Sequence, residues 1–323
     1  MIVASDSAEA VARSVASLGA WNCPGSVEVI VAAAVDYVAP TAVLPDGLIR
    51  VTAPAGTDVP RLRRLGLDRA RGEAVVFTED SCTFPTGWVD AWLAAFARPE
   101  TRAATGPVLP AMGTRAIDWA VFFCEYAPFL PERWGRRSNA PSRLAGNNFA
   151  VRRDMAARLD ASSIHEGEVP GAVGSDPRAV RSVPGAPVGH VRRYSPAEAV
   201  RDRLRFGRDY GHRRASMRPP WARFVGLFIG PAVLLAQVAR LLVTVFRRGR
   251  CLGEFRDVFP ITVALLTAWS VGEWIGCALA VTHPAPCPPA SPPPRGREGR
   301  PPGPHTVRAA SSRPRCTTGR SDA

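Results

Sequence analysis

The sequence contains no lysine, and all 41 basic residues among its 323 are arginine. Charged residues are few, at 21%, whereas 46% of the chain is hydrophobic, which excludes a fully disordered protein and allows one large or two ordinary domains. The seven cysteines form no C-x-x-C pair and show no spacing typical of zinc or of a disulfide framework, so we expect a reducing compartment. The first ten residues lack the basic start and apolar run of a secretory signal, and a cytosolic N-terminal region is therefore expected.

The excess of positive charge, +13 in total, is confined to the C-terminal third of the chain. Residues 1–200 contain 21 arginines and 21 acidic residues, whereas residues 201–257 contain 13 arginines and four acids, and residues 283–323 seven and two. This excess lies around and after two apolar stretches, which favours contact with membrane lipids over nucleic acid. No nucleic-acid partner is expected, and DNA binding by the arginine-rich tail is the least favoured hypothesis.

The two apolar stretches cover residues 224–246 and 258–281, and each is long enough to cross a bilayer as a helix. Arginines 247, 248, 250 and 256 lie between them, so two spans after a cytosolic region would place positive charge outside, against the usual tendency. An interfacial or re-entrant position for one stretch therefore stays open. Before them, residues 196–223 combine arginine with aromatic residues, which favours a helix on anionic headgroups over an ordinary solvated helix.

These patterns divide the chain into four predicted parts. Residues 1–195 are expected to form the catalytic domain, 196–223 a basic interfacial helix, 224–281 membrane-associated helices, and 282–323 a tail. The last 41 residues contain 11 prolines and no hydrophobic periodicity, which predicts disorder.

Strands and helices are predicted to alternate through residues 1–200. Strands are expected over 1–5, 27–35, 73–80 and 102–111, and helices over 7–21, 58–72 and 86–96, the last with Thr86 as its N-cap. This order predicts an α/β fold with a doubly wound, mostly parallel sheet and helices on both faces. Ligands of such sheets bind at the carboxyl ends of the strands.

The strand over 73–80 ends in Glu79 and Asp80. Two carboxylates at a strand end can hold a divalent cation on a substrate phosphate, because Mg²⁺ prefers a few carboxylates together with phosphate oxygens. For an isolated acid pair, a solvated turn is the more common explanation.

The order of motifs over residues 1–208 resembles that of the family-2 glycosyltransferases, which have the GT-A fold. The stretches that resemble the family are VEVIV (27–31), RLRRLGLDRARGE (61–73), VVFTEDSCTFPTGW (75–88), GPVLPA (106–111), LAGNNFAVRRD (144–154), IHEGEV (164–169) and VPGAPVGH (183–190). Within the second apolar stretch, WSVGEWIG (269–276) is similar to a pattern in membrane-attached members.

This resemblance implies an inverting transfer of a sugar, hexosyl or related, from a nucleotide-sugar donor to an acceptor hydroxyl. It further implies the following roles: Asp6, Arg63, Glu79 and Asp80 for donor binding, Asp80 and His190 for a divalent metal (Mn or Mg), Gly146 and Asn147 for the acceptor loop, and Glu166 as catalytic base with Glu168 as the alternative. Membrane attachment suggests a glycan or lipid-linked acceptor in cell-envelope synthesis, at the cell membrane with the catalytic domain in the cytoplasm.

Simpler explanations exist for several of these residues. His190 is equally compatible with a loop histidine, Asn147 with a turn, and Glu166 and Glu168 with solvent-facing positions. The sequence also departs from the family, since Ala33 and Ala34 replace acidic residues and Ser81 replaces the last carboxylate of the D-x-D motif. A catalytically degenerate homologue that acts as a membrane-bound binding or scaffold protein is therefore the alternative hypothesis.

Overall fold

The computed structural model describes residues 1–4, 7–18, 27–35, 48–111, 113, 115–131, 141, 143–176, 178–219 and 230–282. Its main sheet has seven strands: β1 (Ile2–Ala4), β2 (Ile30–Ala34), β3 (Ile49–Ala53), β4 (Ala74–Glu79), β6 (Ala103–Thr105), β8 (Asn148–Arg152) and β9 (Val180–Ser182). A second sheet consists of β5 (Cys82–Thr83), β7 (Val108–Pro110) and β10 (Val188–His190).

The strand order in the main sheet is β3-β2-β1-β4-β8-β6-β9. Only β8 runs antiparallel to its neighbours, and every other pairing is parallel. The prediction of an α/β fold with a doubly wound, mostly parallel sheet is confirmed. The small sheet packs β10 between β5 and β7, in the order β5-β10-β7, at the end of β4.

The described residues form eight α-helices. They are α1 (Ala8–Ser17), α2 (Val59–Arg69), α3 (Trp88–Phe96), α4 (Ala116–Tyr126), α5 (Val169–Val173), α6 (Pro196–Ser216), α7 (Gly230–Arg248) and α8 (Leu252–Thr282). Short 3₁₀ turns cover Ala127–Phe129 and Arg153–Arg158.

Side-chain caps define where three of these helices begin. The Ser7 hydroxyl accepts a hydrogen bond from the Ala10 N–H at the start of α1, and the Asp58 carboxylate accepts one from the Arg61 N–H at the start of α2. At α6, Ser195 and Glu198 form a reciprocal capping box. The predicted cap of α3 is wrong: this helix begins after Gly87, whose φ of 81° is left-handed, and not after Thr86.

The prediction of a single strand over 102–111 is also wrong. The chain leaves the main sheet after Thr105 and re-enters as β7 of the small sheet. Pro107 has no N–H to continue a ladder, and its carbonyl and that of Ala186 both accept hydrogen bonds from the Asn148 side-chain amide, at 2.9 and 2.8 Å. These bonds hold the crossing between the two sheets. Strand β3 has no counterpart among the predicted strands.

The hydrophobic core extends from the sheets into the C-terminal helices. Phe77 of β4 stacks on Phe149 of β8, with ring centroids 4.8 Å apart, in the centre of the main sheet. On the other side, Phe123 of α4 meets Phe255 of α8 at 4.9 Å. The last helices therefore complete the core of the α/β part.

The two predicted apolar stretches overlap α7 and α8. Among the described residues, one helix is long and apolar enough to cross a membrane by length and composition, over Leu252–Val281, with a mean hydropathy of 1.5. The predicted disordered tail and Asp6 lie outside the described residues, apart from Thr282.

Candidate functional site

The carboxyl end of β4 lies at the centre of the predicted site. Glu79 is the last residue of β4, and the N–H of the next residue, Asp80, donates to the Val3 carbonyl of β1 at 3.1 Å. His190 is the last residue of β10 and lies opposite Cys82 in the small sheet. The fold thus brings candidate residues more than 100 positions apart to one edge.

Arg63 of α2 is the residue that connects this edge to the neighbouring loops. Its guanidinium is buried and forms ion pairs with Glu79 at 3.2 Å and with Glu166 at 2.8 Å. It also donates to the carbonyls of Gly146 at 2.8 Å and Ile164 at 3.3 Å. Three other segments of the chain, around Glu79, Gly146 and Ile164–Glu166, therefore meet at one cation, in a rigid, charge-assisted arrangement.

The two carboxylates on Arg63 are in opposite electrostatic situations. Burial raises the pKa of Glu79; the charge of Arg63 opposes this rise, and the nearby charge of Glu166 adds to it. Burial also acts to raise the pKa of Glu166, but the Arg63 charge and hydrogen bonds outweigh it, so the pKa is lowered. With its side chain 39% exposed, Glu166 is an ionised carboxylate open to solvent.

Glu168, the alternative base, lies apart from this cluster. It caps the N-terminus of α5 and is exposed, and its N–H donates to the His165 carbonyl at 3.0 Å. The structure therefore brings Glu166, and not Glu168, to Arg63.

The loop before β8 lies close against the cluster at Gly146. A Cβ added at Gly146 would lie 3.3 Å from the Arg63 guanidinium and 3.4 Å from the Glu166 carboxyl carbon, so any larger residue would crowd both. Next to it, Asn147 is fully buried and neither polar atom of its amide has a hydrogen-bond partner. Such an amide is costly unless a ligand completes its hydrogen bonds.

His190 is the second buried group at this edge. Its ring lies 4.8 Å from that of Tyr126 and 6.4 Å from that of Phe122, and its Nδ1 has no hydrogen-bond partner. Burial, and then the charge of Arg192, lowers its pKa to about 4, so the imidazole is neutral at physiological pH. A neutral ring with an unused nitrogen is chemically suited to ligate a metal.

The donor set fits a divalent cation that substrate completes. Asp80 and Ser81 are both buried beside β5, and no group of three or more His, Cys, Asp or Glu side chains forms a cage within the described ranges. Mg²⁺ is commonly held by one or two carboxylates together with substrate phosphates. Asp80 matches that pattern with one carboxylate, and the unpartnered Nδ1 of His190 would add a nitrogen ligand.

Tyr126 and Arg192 belong to this site but were missed by the sequence analysis. Tyr126 packs on His190, and burial raises the pKa of its phenol well above the usual value, with the charge of Glu79 adding to the rise. Arg192 acts electrostatically on Glu79, Tyr126 and His190. The only available signal was their position, at the end of an aromatic helix and two residues after His190.

The positions that depart from the family motif are also placed. Ala33 and Ala34 are buried in β2, where they pair with β3.

No family model and no curated protein matches the sequence. Solved structures do resemble its fold. A mannosyltransferase from Pyrobaculum calidifontis in complex with GDP-Man and Mn²⁺ is 14% identical, with a TM-score of 0.47 over 87% of this chain and 86% of its own. GalNAc-T7 with UDP, GalNAc and Mn²⁺ is 14% identical, with a TM-score of 0.44 over 60% and 44% of the two chains.

A glucosyl-3-phosphoglycerate synthase from Mycobacterium tuberculosis, in complex with Mn²⁺, UDP and phosphoglyceric acid, is also 14% identical, with a TM-score of 0.39 over 60% and 70%. All three are glycosyltransferases. At these identities and scores, the likeness does not establish a shared activity.

Proposed function

We propose that the protein is a glycosyltransferase that moves a sugar from a nucleotide-sugar donor to an acceptor hydroxyl with inversion at the anomeric carbon. The observation that supports this most is the meeting of Arg63, Glu79, Glu166 and the Gly146 carbonyl at the carboxyl end of β4. A solvent-open, ionised carboxylate beside a buried cation offers a proton acceptor and an anion-orienting group at one strand end.

In this proposal Glu166 accepts the proton of the acceptor hydroxyl. The acceptor oxygen forms a bond to the anomeric carbon as the bond from that carbon to the diphosphate oxygen breaks, and the nucleoside diphosphate leaves. Arg63 fixes the orientation of Glu166 by its 2.8 Å hydrogen bond and keeps the carboxyl group ionised. Gly146 has no side chain, so its loop passes close to Arg63 and Glu166 without covering the exposed part of the Glu166 carboxylate, where the acceptor would bind.

The residues that would hold a divalent cation, Mn²⁺ or Mg²⁺, are Asp80 and His190. When bound, such a cation neutralises charge that develops on a departing diphosphate. Glu79 and Arg63 line the same edge and belong to the proposed donor site.

We further propose that the protein acts at the cell membrane with its α/β part in the cytoplasm, on a glycan or lipid-linked acceptor. This proposal rests on the apolar C-terminal helix and on the arginine excess around it.

A degenerate homologue that binds a partner without catalysis is the second candidate. It is favoured by Ser81, which stands where the resemblance implies a metal-binding carboxylate. Binding of a sugar nucleotide without turnover, or no binding at all, would support it.

The test uses the full chain in calorimetric titrations with nucleoside diphosphates and sugar nucleotides, in Mn²⁺ or in chelator. We expect metal-dependent binding of one nucleotide. Asp80→Asn should weaken this binding in Mn²⁺ and change little in chelator. If the metal dependence of Asp80→Asn equals that of the parent, the assignment of Asp80 is wrong.

The base is tested by matched amides. Glu166→Gln should lower transfer about 10²- to 10⁴-fold, the usual contribution of a general base, with donor affinity nearly unchanged. Glu168→Gln should retain both, since Glu168 lies outside the cluster. If Glu168→Gln lowers transfer and Glu166→Gln does not, Glu168 is the base. If Glu166→Gln lowers transfer and donor binding equally, Glu166 is not the base.

A further inference from the structure

Over most of its length, helix α8 buries its charged side chain and exposes apolar ones. Residues 258–281 contain a single charged side chain, Glu273, and it is buried against protein. The outward face is apolar and includes Val271, Trp274, Ile275 and Leu279, with Trp274 49% exposed. A helix on the surface of a water-soluble domain normally turns its polar face outward.

Helix α7, which contacts α8, also exposes large apolar side chains. Leu235 and Phe246 are 71% and 66% exposed, and Val243 is also exposed. Residues 230–253 contain four arginines, Arg240, Arg247, Arg248 and Arg250, and no acidic residue. An exposed apolar face with arginine around it is complementary to an anionic lipid surface.

Helix α8 is also tied closely to α6. Glycines allow the two backbones to touch. A Cβ added at Gly207 or Gly211 of α6 would overlap the backbone of α8, at Trp269 and Glu273 respectively. A Cβ added at Gly272 or Gly276 of α8 would overlap the backbone of α6, at Leu204 and Arg208 respectively. The Arg214 guanidinium pairs with the Glu273 carboxylate at 2.8 Å, and the Gln237 amide of α7 donates to the same carboxylate at 3.4 Å. Residues 269–280 therefore lie directly against residues 204–215.

The outer side of α6 is strongly charged over these residues. Arg205, Arg208, Asp209 and Arg213 are all exposed. If α8 crossed a bilayer while packed on α6, these charged side chains would enter the hydrocarbon, where each is strongly unfavourable. A crossing would thus require the two helices to separate and would leave Glu273 without Arg214.

We propose that α7 and α8 dock in the plane of an anionic membrane through their outward apolar faces and that α8 does not cross it. This inference specifies the membrane association proposed above, and its experiments measure no sugar transfer. Nucleotide binding is measured on the same samples, so failure of membrane docking and failure of the proposed function can be told apart.

The first experiment measures co-flotation of the full chain with vesicles of phosphatidylcholine alone or with 30% phosphatidylglycerol. We expect binding to the anionic vesicles that weakens at high salt. Phe246→Glu and Val271→Glu should each lower the vesicle partition coefficient at least about tenfold, because a charge at a lipid-facing position costs more than 1.4 kcal/mol. Leu93→Glu, the same change at an exposed leucine of α3, is the matched control and should bind like the parent.

The second experiment tests for crossing in everted membrane vesicles from expressing cells. One marker is Gly253→Cys in the first turn of α8, where a side chain meets no neighbour, scored as maleimide labelling above that of the parent. The other is an epitope after Ala323. In-plane docking predicts that impermeant maleimide and external protease reach both markers without detergent.

Either marker protected until detergent is added would overturn the in-plane arrangement in favour of one or two spans. Flotation unaffected by Phe246→Glu and Val271→Glu would overturn the docking face. A third outcome is that the protein does not bind vesicles but self-associates in sedimentation, and that these two variants abolish the self-association. This outcome would overturn membrane docking and would show that the apolar face binds a second copy of the chain.

Discussion

At the scale of single residues, His190 makes the sharpest prediction. Its pKa is lowered from 6.5 to about 4 by burial, so the unfolded chain binds a proton in this pH range while the folded chain does not. Folding stability should therefore be lost as pH falls from 6.5 towards 4. At 1.36 kcal/mol per pH unit, the contribution of a residue so completely buried is about 3 kcal/mol.

Urea denaturation between pH 4 and 7, in chelator, measures this contribution. The difference in unfolding free energy between the parent and His190→Gln should shrink as pH falls through that window. Phe77→Leu, a substitution in the core that removes no titrating group, provides the control, and its difference from the parent should stay constant with pH. A constant difference for His190→Gln would show that the folded protein accommodates an imidazolium there.

At the scale of helices, the packing of α8 on α6 depends on glycine. Gly272→Ala would place a Cβ on the Leu204 carbonyl, so we expect a loss of about 1–3 kcal/mol, as for an overpacked core. Gly253→Ala in the same helix meets nothing and should be neutral or stabilising by up to about 1 kcal/mol. Chemical denaturation followed by circular dichroism compares the two, and equal effects would mean that the helices move apart at no cost.

The elements predicted from the sequence were those with a local signal. The apolar run of β4 ends at Glu79, and Asp58 and Pro60 mark the start of α2, so these bounds follow from neighbouring residues. The division of residues 102–111 between two sheets cannot be predicted from neighbouring residues, because it depends on the side chain of Asn148, 41 positions after Pro107. The same holds for the site: the strand-end acids are readable from the sequence, but the contact of Arg63 with Glu166, 103 residues apart, exists only in the fold.

At the scale of the whole molecule, the C-terminal helices share a core with the α/β part. Phe123 of α4 is fully buried between Trp119 and Phe255. Glu125 of α4 forms an ion pair with Arg203 of α6, and the Arg203 guanidinium stacks over Trp269 of α8. Glu125 precedes Tyr126, which packs on His190. The helices that we propose to dock on lipid are therefore connected to the candidate site through one helix.

This connection predicts that residues 1–195, the expected catalytic domain, do not retain their stability alone. Removing α6 to α8 exposes Phe123 and leaves Glu125 unpaired, and loss of burial for one phenylalanine alone costs about 1.5–3 kcal/mol. We expect the 1–195 fragment to unfold at lower urea and to bind a hydrophobic dye, whereas a chain ending at Thr282, which keeps every described element, should match the full protein. If the 1–195 fragment is as stable as the full chain, residues 1–195 form an independent domain. In that case α4 does not link the candidate site structurally to the membrane-docking helices.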